Sequence, residues 1–473
     1  MANPTLSDRL PHVNSRSARL WLQRATVVAL VLLLSAVMGF QSSTDAFIYI
    51  LAGVAGLVFS FVVLKQPGLG LIALVLANFF LGRLPISGVG GFTFSAVIVG
   101  VMLALWLFDM IARERRIEVE VNRLNFSLIA FAIIAILAFI SGQLPWFPID
   151  SADLDAQIGG LGIMLLAVAI MLTTGHQLDD SIWLQRLVWV FVVAGTVYIV
   201  GFLFPGLGRF LNDVYFNGGR GSMFWNWMAA MAFAQFFINT NLELWKRALL
   251  GALVLVLFYL AVGLNRGWVS GWLPAITAVV AIVWLRMKRL RLFIVIGAVV
   301  AALVFTQTTL WAELVGENQY SLLTRGASLT ILLEIVKVNP LLGLGPANYY
   351  WYTPLFPILG WYVQFNSHNQ YVDLIAQTGI LGMIALLWFA VEYLVTGWRL
   401  LGKLTDSFEL AYIYGVLGGF IGMIVSGFLG DWFLPFVYNI GVTGFNSALY
   451  GWMFMGGLIV IGRRVKRRAL ADS

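Results

Sequence analysis

Cysteine is absent from all 473 residues, which excludes disulfides, thiolate metal sites and a cysteine nucleophile. Charge is scarce: Asp, Glu, Lys and Arg together make up 11% of the chain, and histidine occurs three times. So little polarity cannot cover a water-facing surface. Apolar residues are abundant instead, at 60% of the chain. The apolar runs, at roughly 17–25 residues each, suit helices that cross the hydrocarbon, and they lack the alternation of an outer-membrane strand. The sequence predicts an all-α fold, a polytopic transmembrane helix bundle.

Spans are expected near 24–41, 45–64, 67–82, 93–111, 125–142, 158–174, 183–204, 222–239, 247–264, 271–286, 292–310, 372–396, 409–428 and 444–462, about fourteen in all. The first follows Arg9, Arg16, Arg19 and Arg24 without a small-residue cleavage site, and is expected to be a retained helix. Three regions follow: residues 1–310 with helices one to eleven, 311–371 as one long extracytoplasmic segment containing helices, and 372–473 with the last three helices and a basic tail.

Lys and Arg are retained on the cytoplasmic side during insertion. The ends assigned to that side hold 23 of the 29 Lys and Arg, among them the clusters "ARERRIEVEVNR", "RMKRLR" and "RRVKRR". This arrangement places both termini in the cytoplasm and accounts for the net charge of +7. A basic tail after a last span is a common stop anchor, so no nucleic-acid partner is expected.

Six basic residues remain on the outer side: Arg83, Arg209, Arg220, Arg266, Arg325 and Lys337. Any one of them could snorkel to the headgroups. Arg220, however, stands in "FNGGRGSMFWN", where glycines allow close backbone approach and a helix starts at once, a combination suited to an anion. Arg266 stands in "GLNRGWVSG", a very short turn that would hold its charge at the membrane surface. Arg325 heads "TRGASLTILLEIVKVNP", a helix with Ser321, Thr324 and Ser328 beside Arg325 on one face and Thr330, Glu334 and Lys337 on the other. Such a helix suits a lid on the bilayer surface, or a plain connector.

The outer segment continues "NPLLGLGPANYY" and ends in "HNQYVDLIAQTGILG". A basic residue heading a helix, a Pro-Leu-Leu-Gly-x-Gly turn, a His-Asn at the next span start and a Gln-x-Gly-x-x-Gly exit together resemble the O-antigen ligase and polymerase superfamily. The resemblance implies a metal-independent membrane glycosyltransferase of GT-C type with no cofactor. Its donor would be a polyprenyl-diphosphate-linked glycan and its acceptor a saccharide or glycolipid hydroxyl, at the outer face of the bacterial inner membrane, among membrane lipids.

These residue types fit that chemistry on their own terms. A diphosphate leaving group gains charge as the glycosyl bond breaks, and arginine stabilises it without proton transfer. Arg220, Arg266 and Arg325 are the candidates for that clamp. His368 is the only histidine on the outer side and the candidate base for the acceptor hydroxyl; its bland alternative is a polar interfacial residue. Asn369 could orient the imidazole or bind sugar, and Asp373 could bias the tautomer or complement the helix dipole. No metal site is expected, since the outer carboxylates Asp150, Asp153, Asp155, Asp213, Glu313, Glu317 and Asp431 are spread over several loops. "DSADLD" has the composition of a weak cation site or of a solvated acidic loop. The run "YYWYTPLFPILGWY" suits sugar stacking or interface anchoring equally.

A transporter or flippase of lipid-linked oligosaccharide would also have about fourteen spans. The chain has no convincing internal repeat, and its outer charges crowd one face, which favours the transferase; a passive scaffold comes third. Ligase and polymerase share a donor and differ in acceptor. The span number leans to polymerase.

Overall fold

The computed structural model describes residues 46–81, 93–115, 119–215, 221–307 and 319–471. The chain divides into two units, 1–70 and 71–473. In the first, helix α1 (Ala46–Lys65) ends in a basic residue, with the Lys65 ammonium 4.5 Å from the ring centre of Phe61.

From there the helices are α2 (Pro67–Phe80), α3 (Phe94–Phe108), α4 (Arg123–Ser141), α5 (Leu154–Gln177), α6 (Ser181–Gly201), α7 (Pro205–Val214) and α8 (Ser222–Ile238). They continue with α9 (Leu244–Phe258), α10 (Val269–Arg286), α11 (Arg291–Gln307), α12 (Gln319–Val336), the single turn α13 (Tyr349–Tyr352), α14 (Gln370–Leu401), α15 (Ser407–Gly427) and α16 (Phe445–Ala471). Every span expected from the second to the fourteenth falls on one of these helices, and the first, 24–41, lies outside the described residues. Among the described residues nine helices are long and apolar enough to cross a membrane, and there is no sheet, only an isolated bridge between Ile358 and Trp361. The fold is an all-α polytopic membrane bundle.

Helices start where short polar side chains can satisfy the free backbone N–H groups of the first turn. Thr93, Asn122, Asp180 and Asp406 all do so, each accepting from a backbone nitrogen two or three residues on. Helix α15 packs against α8 and α10, α16 against α5, and α14 against α4. Small residues let the backbones close up without help from water: a Cβ at Gly418 would stand 2.7 Å from the Ala278 carbonyl.

One end of the bundle is charged. On α16, Arg463 donates to the carbonyls of Gly175 and His176, and Arg464 pairs with the buried Glu409. Lys466 bonds Glu120 at 2.8 Å. The basic tail is therefore a helical continuation held by acidic loops. At about 1.5 Å per residue these groups lie far from the start of α16, where Ser447 stands beside Gly221.

Candidate functional site

The segment before α14 is anchored by a backbone exchange. Pro340 cannot donate a hydrogen bond, and Gly343, Gly345 and Gly379 all have positive φ. At Gly379, with φ 67° and ψ −168°, α14 breaks. The break frees the carbonyls of Ala376 and Gln377 and the nitrogens of Ile380 and Leu381 from the bonds a continuous helix would make. The turn takes all four: Leu344 and Gly345 donate to Ala376 and Gln377 at 2.9 and 3.1 Å, while Ile380 and Leu381 donate to Pro340 and Leu341 at 2.9 and 3.2 Å. Broken backbone at membrane depth requires such internal satisfaction. The two glycine motifs are thus halves of one joint.

Side chains extend the anchorage. Asn348 donates to the carbonyls of Gly142 and Leu344 at 2.9 and 2.8 Å and accepts from Ala152 at 3.2 Å, tying in the loop after α4. Asp373 is fully buried, and its Oδ1 accepts from the Tyr349 hydroxyl at 2.5 Å and from Ser367 at 2.7 Å. Tyr349 and Tyr352 are buried in a core with Leu332, Ile335 and Phe436. This half of the aromatic run is packing, whereas Trp361 and Tyr362 are exposed.

His368 sits at the last bend before α14 with φ 49°, an uncommon value outside glycine. Asn369 fixes that bend: its side-chain oxygen accepts from the nitrogens of Tyr371 and Val372, capping the helix. The Asn369 oxygen is thereby committed to the cap, and Asp373 to Tyr349 and Ser367.

The groups that face His368 come from the loop between α15 and α16, in "GDWFLPFVYN". Asn439 Nδ2 lies 3.5 Å from His368 Nδ1 and donates to Asp431 Oδ1 at 2.5 Å. The buried Asp431 also accepts from the Phe436 nitrogen at 2.7 Å. Gln370 pins the loop to α14 by exchanging two bonds with the Leu434 backbone, at 2.8 and 2.9 Å. Arg325, half-buried on α12, donates to the Leu429 carbonyl at 3.3 Å. Asp431 and Asn439 were not singled out by sequence reasoning as partners of His368. Their signal is a lone carboxylate and a lone amide in an otherwise apolar interspan stretch.

Burial and the neighbouring Arg325 charge lower the pKa of His368, and Asp431 opposes them less strongly. The ring is therefore neutral at pH 7. Burial raises the pKa of Asp431, against the bonds from Phe436 and Asn439. A half-buried cation, a neutral imidazole and a buried carboxylate thus cluster at the N-terminal end of α14. Such a group can bind an anion and place a polarised N–H beside it.

Arg220 lies outside the described residues. Its successor Gly221 opens α8 with φ 93°, where a Cβ would stand 2.9 Å from Ser447 Oγ and 3.7 Å from the Trp432 ring. The Ser222 hydroxyl donates to the Ser270 carbonyl. The starts of α8, α10 and α16 and the loop bearing Asp431 therefore meet at one end. Arg266 occupies the exposed turn before α10, its carbonyl accepting from Trp272 at 3.0 Å. Asp153 and Asp155 border an open cleft of about 550 Å³ with Tyr438, and among the described residues no three His, Asp or Glu side chains could hold a metal together.

The stretch carrying these motifs can be compared with known families. Residues 248–387 match the O-antigen ligase family model. This stretch is similar to the O-antigen ligase family. It begins within α9 and ends just past the Gly379 break, so it includes Arg266, Arg325, the glycine turn and His368. Arg220, Asp431 and Asn439 lie outside the O-antigen ligase match. No curated protein matches the chain.

Proposed function

We propose that the protein is a metal-independent glycosyltransferase that moves a glycan from a polyprenyl diphosphate to a saccharide or glycolipid hydroxyl. It would work at the outer face of the bacterial inner membrane, in surface polysaccharide synthesis. The observation that carries this reading is the grouping of Arg325, His368, Asn439 and Asp431 inside and beside the O-antigen ligase segment. The transfer breaks the bond between the anomeric carbon and a diphosphate oxygen, which keeps the electron pair, while an acceptor hydroxyl oxygen bonds to that carbon. Arg325, with Arg220 and Arg266, meets the growing charge on the diphosphate. His368 is the catalytic residue at the reacting oxygens.

Orientation belongs to the same proposal. The pairing of the tail with Asp179, Asp180 and Glu409 supports a cytoplasmic C-terminus, since it gathers basic residues at the end of α16 away from His368. The expected span number favours polymerase over ligase.

Purified protein incubated with a defined lipid-linked glycan and candidate acceptors, with and without a chelator, tests the reading. A product heavier than the acceptor by the transferred glycan, formed equally with chelator, is expected. Donor moved across vesicles without any new glycosidic bond would mean a transporter.

A further inference from the structure

We infer that Asp431 and Asn439 hold His368 in the tautomer with its proton on Nε2, so that the ring meets the leaving diphosphate as a hydrogen-bond donor. The inference rests on the transferase reading and gives His368 a role different from that of a base.

The argument runs outward from the buried carboxylate. Asp431 already receives the Phe436 nitrogen on Oδ2, and its Oδ1 needs a donor. Asn439 supplies one from Nδ2 at 2.5 Å, which fixes the amide: turned over, it would set its carbonyl oxygen against a carboxylate oxygen. An amide nitrogen has two hydrogens and cannot accept. The second hydrogen is the one available to His368 Nδ1, 3.5 Å away. Nδ1 is then the bare nitrogen, and in a neutral imidazole the proton must lie on Nε2. The backbone bend at His368 is set by the Asn369 cap and the Gln370–Leu434 pair, which brings the exposed ring beside Asn439.

A bare Nε2 could accept the acceptor's proton, but a protonated one cannot. A donor aimed at the attacking hydroxyl oxygen would compete for the lone pair that must form the new bond. Aimed at the diphosphate, it stabilises the charge that develops there, next to Arg325. The balance closes without a protein base. The glycosyl C–O electron pair goes to the diphosphate oxygen, the acceptor oxygen takes the anomeric carbon, and its proton passes to the departing diphosphate. Asn439 and Asp431 are positioning residues in this scheme.

Nitrogen-15 spectra of protein labelled in histidine read the tautomer without any turnover. The His368 signals, identified by their loss in His368→Gln, are expected to show a bare Nδ1 and a protonated Nε2; the reverse pattern overturns the inference. Asn439→Asp puts an acceptor at Nδ1 and is expected to move the proton there. An unchanged spectrum in a folded variant would mean that Asn439 does not set the tautomer. Gln keeps a donor near the Nε2 position and cannot act as a base. His368→Gln is therefore expected to retain transfer within about tenfold of wild type, while His368→Ala loses about 10²–10³. Equal loss in both would remove the donor role. Failure of every acceptor with wild-type protein would remove the transferase reading instead, leaving the tautomer to the spectra.

Discussion

A Cβ built on Gly343 would stand 2.6 Å from the backbone nitrogen of Gly379, and both glycines hold positive φ. Each is there because the other's backbone occupies the space a side chain would need. Gly379→Ala is expected to disturb the exchange between turn and helix break, at a conformational cost of about 1–3 kcal/mol before any steric shift. A lowered melting temperature in detergent, with transfer lost, checks it. Wild-type melting would show that the joint tolerates a side chain.

Tyr349→Phe removes one of the two donors to Asp373 Oδ1 inside a closed core. Losing one hydrogen bond to a buried carboxyl costs about 1 kcal/mol or more, so thermal unfolding at a lower temperature is expected. A melting curve matching wild type would mean that another group serves Asp373.

Arg325→Lys, Arg266→Lys and Arg220→Lys replace planar forks with point charges. Transfer is expected to fall about 10²-fold or more in each, with binding of the lipid diphosphate weakened. Near-normal turnover and donor binding in all three would make these arginines interfacial anchors.

The pH profile follows from the charges around His368. Its pKa lies below the ordinary value, so the neutral ring persists at pH 7 and transfer declines as pH falls through that lowered pKa. Protonation places N–H groups on both sides of the ring, and Nδ1–H then faces the Asn439 amide. Arg325 lowers this pKa and Asp431 raises it. Residual transfer in Arg325→Gln is therefore expected to show its acid limb at higher pH, and Asp431→Asn at lower pH. Limbs that stay put in both variants would separate the profile from His368.

Tyr362 lies exposed in the segment before α14 and Leu470 exposed near the far end of α16. In a chain without cysteine, Tyr362→Cys is expected to react with an impermeant label from outside and Leu470→Cys only from the cytoplasmic side. Reversed labelling would invert the topology and the placement of His368.

Much of this was legible in the sequence because apolar length is a local signal. Each expected span from 45–64 onward became a helix and the His-Asn pair stands at the start of α14, whereas α12 begins at Gln319, six residues before the Arg325 expected to head it. The pairing of motifs was not legible. Nothing in "PLLGLG" states that its nitrogens will replace those of residues 380 and 381, since the hydrogen bonds join segments that sequence periodicity treats as separate. Asp431 and Asn439 were hidden for the same reason, lying more than sixty residues from His368. The aromatic run left stacking and anchoring open, and for Tyr349 and Tyr352 burial supplied a third answer.

The last helix has a consequence for how the protein is made. Within Val442–Ala471, the best membrane-spanning window is wholly buried in the bundle, and it is the least hydropathic of the nine candidate spans among the described residues. A segment of that kind gains little from lipid alone. It is also the last of these spans to emerge from the ribosome, when α5, its main neighbour, has already been synthesised. Its integration is therefore an act of assembly as much as of partitioning. A nonsense mutation just before Phe445 would remove the bundle's centre, and the shortened chain would be a substrate for membrane quality control.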